Sequence, residues 1–214
     1  MPFQKDRSTL GEDKVAKANK AHNIAECIQG QLEVKATDEH YVIEYMPIDT
    51  LSATDRVWVM DMVKQNMMEL YVNSNDGWSE EEKRSELYAP EARYLIVKDA
   101  KGTKVGFLMF QFVWEETMED DAEVQAIYCY EIQLISEVSG KGIGSHLMKL
   151  LEDIGRAWDM EKAMLTVFRA NQGAFHFYRE KLGYELDEIS PSACLPPRRA
   201  QRFDYEILSK RLDA

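Results

Sequence analysis

The first part of the chain combines helical and strand-like spacing of its apolar residues. Apolar side chains occur at Leu10 and then, every three or four positions, at Val15, Ala18, Ala21, Ala25 and Ile28. This spacing predicts an amphipathic helix over residues 9–28, with Gly30 as its stop signal. Residues 32–46 instead alternate between apolar and polar side chains, which predicts a strand that ends at Pro47.

Two further helices are predicted before the middle of the chain. The first covers residues 55–72, where an apolar face is formed by Val59, Met60, Val63, Met67, Leu70 and Tyr71. Ser79 is followed three residues later by Glu82, the pattern of a capping box. We therefore expect a short acidic helix that starts after Ser79 and ends near Tyr88.

The middle of the chain reads as three strands. Residues 94–97, 105–114 and 124–135 are rich in β-branched and aromatic side chains. The first two are separated by a turn at 99–102, and the last two by an acidic loop at 115–123. Short connections of this kind predict an antiparallel meander.

Five further elements are predicted after residue 140. They are a helix at 142–158, a buried strand at 163–168, a helix at 172–182, a strand at 184–187 and, after a proline-bearing loop at 190–199, a last strand at 203–208. This order predicts an α/β (mixed α+β) fold in which helices flank a mixed sheet. The length suits one domain at residues 31–214, with residues 1–30 as a helical segment that packs on it.

The charge of the chain restricts its partners. There are 26 Lys and Arg residues against 38 Asp and Glu residues, which gives a formal net charge of −12. Direct binding to nucleic acid requires clustered basic side chains, so we expect no such partner. An acidic surface favours a basic ligand or a basic polypeptide, although it also serves solubility alone.

The cysteines and histidines do not indicate a metal or a disulfide framework. The three cysteines are far apart and form no CxxC pair, and the four histidines lack the spacing of metal ligands. An odd number of cysteines suits a reducing compartment. No apolar run approaches the length of a membrane span. We expect a soluble intracellular protein without a metal.

A strand followed by glycines is the most informative local feature. The predicted strand that contains residues 128–134 leads to Gly140, Gly142 and Gly144, after which a helix is predicted. Glycines at a helix N-terminus can expose successive backbone N–H groups to a phosphate. The spacing matches neither a dinucleotide fingerprint nor a Walker A loop, and glycines at such turns also serve packing alone.

The wider pattern resembles a known superfamily. The matching segments are EIQL at 131–134, Val138 to Gly144, LTVF at 165–168, Asn171, Ala174, Phe177-Tyr178 and Leu182-Gly183-Tyr184. Together they resemble the GNAT acetyltransferases, whose signature is Gln or Arg, two residues, Gly, one residue, and Gly or Ala. Ser139 stands at the position of the Gln or Arg. The resemblance implies the GNAT acyl-CoA N-acyltransferase fold and acetyl-CoA as co-substrate.

A narrower resemblance extends from about residue 55 to residue 211. It rests on YCYEIQL at 128–134, MLTVF at 164–168, Gly173-Ala174, Ser190-Pro191-Ser192 and the segment Tyr205 to Ser209. These segments are similar to the NatD-type N-alpha-acetyltransferases. That family acetylates the α-amine of histones four and two-A, whose tails begin Ser-Gly-Arg-Gly. The resemblance implies a basic histone tail as partner, a monomer, and a place in the cytoplasm and nucleus.

Acetylation of an α-amine requires a base, for which Glu131 is the candidate. An α-amine has a pKa of about 8, so the base has a modest task and can act through a water molecule. Tyr128 and Tyr130 complete the candidate catalytic group. Strict alternation would place Glu131 on the face opposite to both tyrosines. We therefore predict a bulge or sharp twist between Tyr130 and Leu134.

The resemblance also implies binding roles. Cofactor binding is implied for Ile132, Gln133 and Leu134 with the acyl arm, for Gly140, Lys141, Gly142, Ile143, Gly144 and Ser145 with the diphosphate, for Asn171 with the pantetheine, and for Tyr178 as a possible acid for the leaving group. Substrate binding is implied for Tyr71, Glu115, Tyr130, Thr166 and Tyr205. Two positions depart from the family, because Val113 replaces an acid and Asp76 replaces a tryptophan.

Two other functions stay open from the sequence. One is a related transferase that acts on a lysine side chain or a small amine. The other is an acyl-CoA-binding module without catalysis. Each of these groups also has a purely structural interpretation. Glu131 can be an ordinary strand carboxylate, and each tyrosine can be a half-buried core residue. The acidic loop at 115–123 reads as a solvated hairpin or as an attraction for a basic tail.

Overall fold

A single mixed sheet forms the centre of the molecule. The computed structural model describes residues 13–22, 24–36, 39–120 and 122–212. Its strands are β1 (Glu33–Ala36), β2 (Glu39–Pro47), β3 (Arg93–Asp99), β4 (Lys104–Glu116), β5 (Glu123–Leu134), β6 (Lys162–Phe168), β7 (Glu185–Leu186) and β8 (Tyr205–Arg211). They lie in the order β1-β2-β3-β4-β5-β6-β8-β7. All neighbours are antiparallel except β5 and β6, which are parallel.

Helices cover both faces of this sheet. They are α1 (Lys14–Lys20), α2 (Ala53–Val72), α3 (Glu80–Leu87), α4 (Ile143–Ala157), α5 (Gln172–His176), α6 (Pro191–Cys194) and α7 (Pro197–Ala200). A π-helical turn, Phe177–Lys181, continues α5, and 3₁₀ turns lie at Ile24–Gln31, Ile48–Thr50 and Ser136–Val138. This is the mixed α/β architecture, one mixed sheet flanked by helices, that the sequence predicted. No helix in the described ranges is both long enough and apolar enough to cross a bilayer.

The core has two layers, one on each side of the sheet. The helix α4 places Leu147, Leu151 and Ile154 against one face, and all three side chains are fully buried. The helix α2 places Val59 and Val63 against the other face. The strands between them are therefore apolar on both sides, as expected for a sheet that is covered twice.

The parallel pair β5 and β6 diverges after a short paired region. Their register runs only from Ala126 opposite Lys162 to Cys129 opposite Leu165. Beyond these positions β5 continues to Leu134 and β6 to Phe168. The two strand ends separate over this interval, which opens a cleft in an otherwise continuous sheet.

A bulge in β5 is present, but it lies at Tyr130, at the upstream end of the interval in which it was predicted. Met109 of β4 pairs with Glu131 and Phe110 pairs with Cys129, so Tyr130 has no partner position of its own. Residues 131–134 then pair regularly with residues 106–109. An extra residue breaks the two-residue alternation of side chains. The bulge therefore allows Tyr128, Tyr130 and Glu131 to face one cleft.

The prediction of one helix over residues 9–28 was wrong. The helix α1 begins after Asp13, whose side chain accepts a hydrogen bond from the Ala16 amide, and it ends at Ala21, which has extended backbone angles. The chain continues as a 3₁₀ helix at Ile24–Gln31, with Ile24 and Ile28 fully buried. Because α1 packs on β4 and the 3₁₀ helix packs on α4, one straight helix could not cover both surfaces. Residues 9–12 lie outside the described residues.

Two other predictions also need correction. The strand predicted at 32–46 is a hairpin of β1 and β2, with Ala36 paired to Glu39. The proline-bearing loop at 190–199 contains the two short helices α6 and α7, each with proline at its first position. Proline suits that position because its φ is already helical and its missing N–H would have had no helical partner.

Candidate active site

The cleft between β5 and β6 has a volume of about 560 Å³ and brings together most of the predicted site residues. Its lining includes Tyr71, Glu115, Tyr128, Tyr130, Glu131, Ile132, Gln133, Thr166, Asn171, Tyr178 and Tyr205. These side chains come from α2, four strands and the α5 segment, so only the fold places them together. The predicted residues outside this lining are Leu134, half-buried at the end of β5, and the glycine segment 140–145.

Glu131 lies in a network of hydrogen bonds. Its side chain is 4% exposed. One carboxylate oxygen accepts a hydrogen bond from the Lys83 ammonium at 3.1 Å, and the other accepts one from the Gln133 amide at 2.7 Å. Gln133 in turn accepts a hydrogen bond at 3.0 Å from Asn66 of α2. The carboxylate is therefore held at both oxygens while it faces the cleft.

Sequence reasoning missed Lys83 and Glu86. Lys83 donates hydrogen bonds to the Tyr71 hydroxyl at 2.7 Å and to Glu86 at 2.6 Å. The short helix α3 was predicted only as an acidic helix with a capping box, and most of its residues are exposed. A signal was available, since Lys83 lies one helical turn before the buried Leu87 and so on the same face.

The charges in this network shift its pKa values. Burial alone would lower the pKa of Lys83, but the carboxylates of Glu131 and Glu86 outweigh it and raise that pKa. Burial raises the pKa of Glu86 despite its contact with Lys83. Burial and the charge of Glu131 raise the pKa of Tyr71 to about 12. Lys83 is thus a fixed cation and Tyr71 a neutral phenol at neutral pH.

The two tyrosines of β5 are also neutral hydrogen-bonding groups. Their rings lie 4.9 Å apart, centroid to centroid. The Tyr128 hydroxyl is 2.5 Å from the Thr166 hydroxyl across the cleft. Burial raises the pKa of Tyr128, and burial followed by the charges of Glu115 and Glu86 raises the pKa of Tyr130 to about 12. Both phenols can orient a substrate, and neither can act as a base near pH 7.

Tyr178 occupies the wall formed by the α5 segment. Its side chain is buried next to Cys129, and burial raises its pKa well above the ordinary value. The phenol is therefore neutral at neutral pH, and its role as an acid for the leaving group stays a prediction. Asn171 caps α5, because its side-chain oxygen accepts a hydrogen bond from the Ala174 amide. Its implied contact with pantetheine stays a prediction.

The glycine segment forms an open turn at the start of α4. Gly140 and Gly142 have φ angles of 77° and 84°, a left-handed conformation that other residues rarely adopt. The first backbone N–H of α4 that donates a hydrogen bond within the helix is that of His146, and its acceptor is the Gly142 carbonyl. Among the described residues, none accepts a hydrogen bond from the backbone N–H groups of residues 140–145. Six open amides at the N-terminus of a 15-residue helix suit a diphosphate.

The side chain of Ser139, just before this segment, and that of Lys141 within it are bound elsewhere. The Ser139 hydroxyl donates to the Ile135 carbonyl at 3.3 Å, and the Lys141 ammonium pairs with Glu39 at 2.5 Å. The segment therefore offers its main chain to a phosphate group. No three His, Cys, Asp or Glu side chains in the described part of the chain are arranged as metal ligands.

The end of the cleft near Tyr205 is acidic and partly covered. Asp76 lines this end, where burial, followed by the charges of Asp76 and Asp204, raises the pKa of Tyr205. Glu115 lies toward the opposite end of the paired strands, and burial, followed by the charges of Asp187 and Glu116, raises its pKa. The loop after α2 meets the segment before β8 through Asn75, which donates to Asp204 at 2.6 Å and to the Arg202 carbonyl at 2.7 Å. The two loops close one side of the cleft.

Known proteins share this architecture. The structure of NAA60 from Arabidopsis thaliana with a bisubstrate analogue has a TM-score of 0.56 and 12% identity, and the match covers 79% of this chain and 98% of that chain. The ribosomal-protein-S18 alanine N-acetyltransferase of Escherichia coli has a TM-score of 0.52 and 16% identity, and the match covers 81% of this chain and 95% of that chain. PaiA N-acetyltransferase from Thermoplasma acidophilum, solved with coenzyme A, has a TM-score of 0.52 and 18% identity, and the match covers 79% of this chain and 98% of that chain.

The sequence itself also matches a family model. Residues 61–184, more than half of the chain, match the model of the acetyltransferase (GNAT) family. This range begins in α2 and includes the bulge of β5, the glycine segment and α5. The open amides and the adjacent cleft suit the coenzyme that this fold uses. The chain therefore belongs to the GNAT acetyltransferase family and is an acetyl-CoA-dependent acetyltransferase.

Proposed function

We propose that this enzyme acetylates the N-terminal α-amine of the histone four and histone two-A tails, which begin Ser-Gly-Arg-Gly. The observation that carries the proposal is the cleft itself. It places the ion-paired carboxylate of Glu131 beside neutral phenols and includes Glu115 and Asp76 in its lining. Such a cleft suits a short terminus with a free amine and an arginine close behind it.

The chemistry requires little of the protein beyond position and a proton acceptor. Acetyl-CoA, bound through the glycine segment, supplies an activated thioester. Glu131 accepts a proton from the α-amine through a water molecule while the amine nitrogen forms a bond to the acetyl carbon. The carbon–sulfur bond breaks, and the neutral phenol of Tyr178 is placed to protonate the departing sulfur. Tyr128 and Tyr130 orient the first residue of the tail.

The covered end of the cleft favours a chain terminus over an internal lysine. The contact of Asn75 with Asp204 and Arg202 joins the loops on either side of this end. A polypeptide that crossed the cleft to present a lysine would need to pass this contact. A terminus can enter from the open side alone.

The charge of the cleft favours a basic tail. Glu86, Glu115, Glu131 and Asp76 line it, and Lys83 is the basic side chain among its described lining residues. The overall charge of −12 acts in the same direction, since it attracts a cationic polypeptide over distance. One protein of the same fold, the ribosomal-protein-S18 alanine enzyme of Escherichia coli, is an N-acetyltransferase by name.

Peptides with free and blocked N-termini test the proposal. The substrate is a synthetic tail that begins Ser-Gly-Arg-Gly and contains lysines, and the matched control is the same peptide with an acetylated N-terminus. We expect mass spectrometry to find one added acetyl group, on the α-amine, in the free peptide only. Equal acetylation of both peptides would instead indicate lysine specificity. Acetyl-CoA binding without turnover on either peptide would indicate a binding module.

A further inference from the structure

Lys83 lies inside the cleft although no motif of the family points to it. It is 7% exposed, in a helix whose other charged residues, apart from Glu86, face outward. Ionised lysines are rarely buried this far unless carboxylates neutralise them. The position of its ammonium therefore needs a reason beyond the solubility of α3.

The partners of Lys83 come from three different elements. Its ammonium binds the Tyr71 hydroxyl of α2, Glu86 of α3 itself and Glu131 of β5. It also lies 4.7 Å from the centre of the Tyr71 ring. Lys83 thus connects the catalytic strand with the helices that form the opposite wall of the cleft.

The contact fixes one oxygen of the candidate base. Lys83 binds the first carboxylate oxygen of Glu131, and Gln133 binds the second. The orientation of the Gln133 amide is set by Asn66, which donates to its oxygen. With both oxygens held, the plane of the carboxylate is determined before a substrate arrives, which is the condition for an efficient base.

We propose that Lys83 is a positioning residue for acetyl transfer, whose ammonium keeps the Glu131 carboxylate ionised and directed at the substrate amine. The inference rests on the proposed role of Glu131 as base. Without the cation, Glu131 would face Glu86 in a buried site with no counter-ion. A buried carboxyl group in that situation retains its proton to higher pH.

Other titratable groups face the same site. From α2, α3, β3, β5 and the turn after α5 they are Tyr71, Glu86, Tyr94, Cys129 and Tyr178. Burial raises the pKa of each of them, and the phenols and the thiol stay neutral between pH 6 and pH 9. Only Glu86 can share a proton with Glu131 in this range, so Glu86 requires its own control.

The test is the pH dependence of Lys83→Met relative to the unaltered enzyme. Both are assayed with saturating acetyl-CoA and tail peptide. The kcat of the variant divided by the kcat of the unaltered enzyme is plotted from pH 6 to pH 9. The titration of the peptide amine is common to both and cancels. We expect the ratio to rise by about tenfold or more toward pH 9, as Glu131 loses its proton in the variant. A ratio that is constant with pH would overturn the proposal.

Three variants separate this role from a loss of structure. Lys210→Met removes another lysine that binds a buried carboxylate, Glu152, outside the cleft; it should lower Tm and leave the kcat ratio constant. Lys83→Arg restores a cation and should give a constant ratio. Glu86→Gln leaves the Lys83–Glu131 contact in place and should also give a constant ratio. A rise with pH in any of these three variants would contradict the proposal.

Two further results remain interpretable. If Lys83→Met does not fold, the double variant Lys83→Met/Glu86→Gln, which removes one charge of each sign, takes its place with the same expected rise. The base assignment is tested separately by Glu131→Gln. A constant ratio for Lys83→Met together with an inactive Glu131→Gln would reject the role of Lys83 alone and leave the proposed function in place.

Discussion

Replacement of Glu131 by glutamine should lower kcat for tail acetylation by about 100-fold to 1000-fold, with little change in the affinity for acetyl-CoA. Glutamine has almost the same shape, so it can keep a hydrogen bond within the network of Lys83 and Gln133. It cannot accept a proton at neutral pH. The loss should therefore appear in steady-state kcat, while calorimetry with acetyl-CoA should give the same Kd as the unaltered enzyme.

The chain offers a matched control for this substitution. Glu152 of α4 is also buried, and it is paired with Lys210 and Arg156 away from the cleft. Glu152→Gln should lower the free energy of unfolding and leave kcat within about twofold. If Glu131→Gln retained the kcat of the control, Glu131 would be a structural carboxylate and the base would have to be sought elsewhere.

Replacement of Gly142 by valine should weaken acetyl-CoA binding by about tenfold to 100-fold. Gly142 has a φ of 84°, and a β-branched side chain in this conformation costs about 1–3 kcal/mol. No atom lies within 4 Å of the position where the added Cβ would sit, so the effect is on the backbone and not on packing. If the turn changes conformation to relax this strain, the amides of residues 142–145 move away from the positions that suit a diphosphate. A loss of about 1.4 kcal/mol in binding free energy raises Kd tenfold.

Gly102→Val is the corresponding control. Gly102 has a φ of 80°, equally free space around it, and a position in the β3–β4 turn. Both substitutions should lower the free energy of unfolding by a similar amount. Only Gly142→Val should raise the Kd for acetyl-CoA, as measured by calorimetry. An equal Kd for the two variants would exclude the glycine segment as the diphosphate site.

Local patterns predicted most of the fold because most elements carry their own signals. The capping box of Ser79 and the apolar spacing of α2 and α4 depend on residues close in sequence. The bulge at Tyr130 was predictable for a different reason. Tyrosines at 128 and 130 and an acid at 131 can share a cleft only if the strand alternation fails between them.

What the sequence did not predict depends on distant contacts. Lys83 is buried only because α3 lies against β5, 48 residues further along the chain. The break of the first helix at Ala21 reflects the two surfaces that the segment has to cover, β4 and α4. No local pattern reports either constraint. The proposed substrate came from the resemblance to a family, because charge and spacing alone do not specify one.

A crystal structure of the enzyme with coenzyme A and a Ser-Gly-Arg-Gly peptide tests the central claim most directly. We expect phosphate oxygens at hydrogen-bond distance, about 2.7–3.2 Å, from backbone nitrogens of residues 140–145. The sulfur should lie beside the Tyr130 bulge, with the peptide α-amine one water molecule away from Glu131. A diphosphate bound away from the glycine segment, or a sulfur directed away from Glu131, would contradict the account.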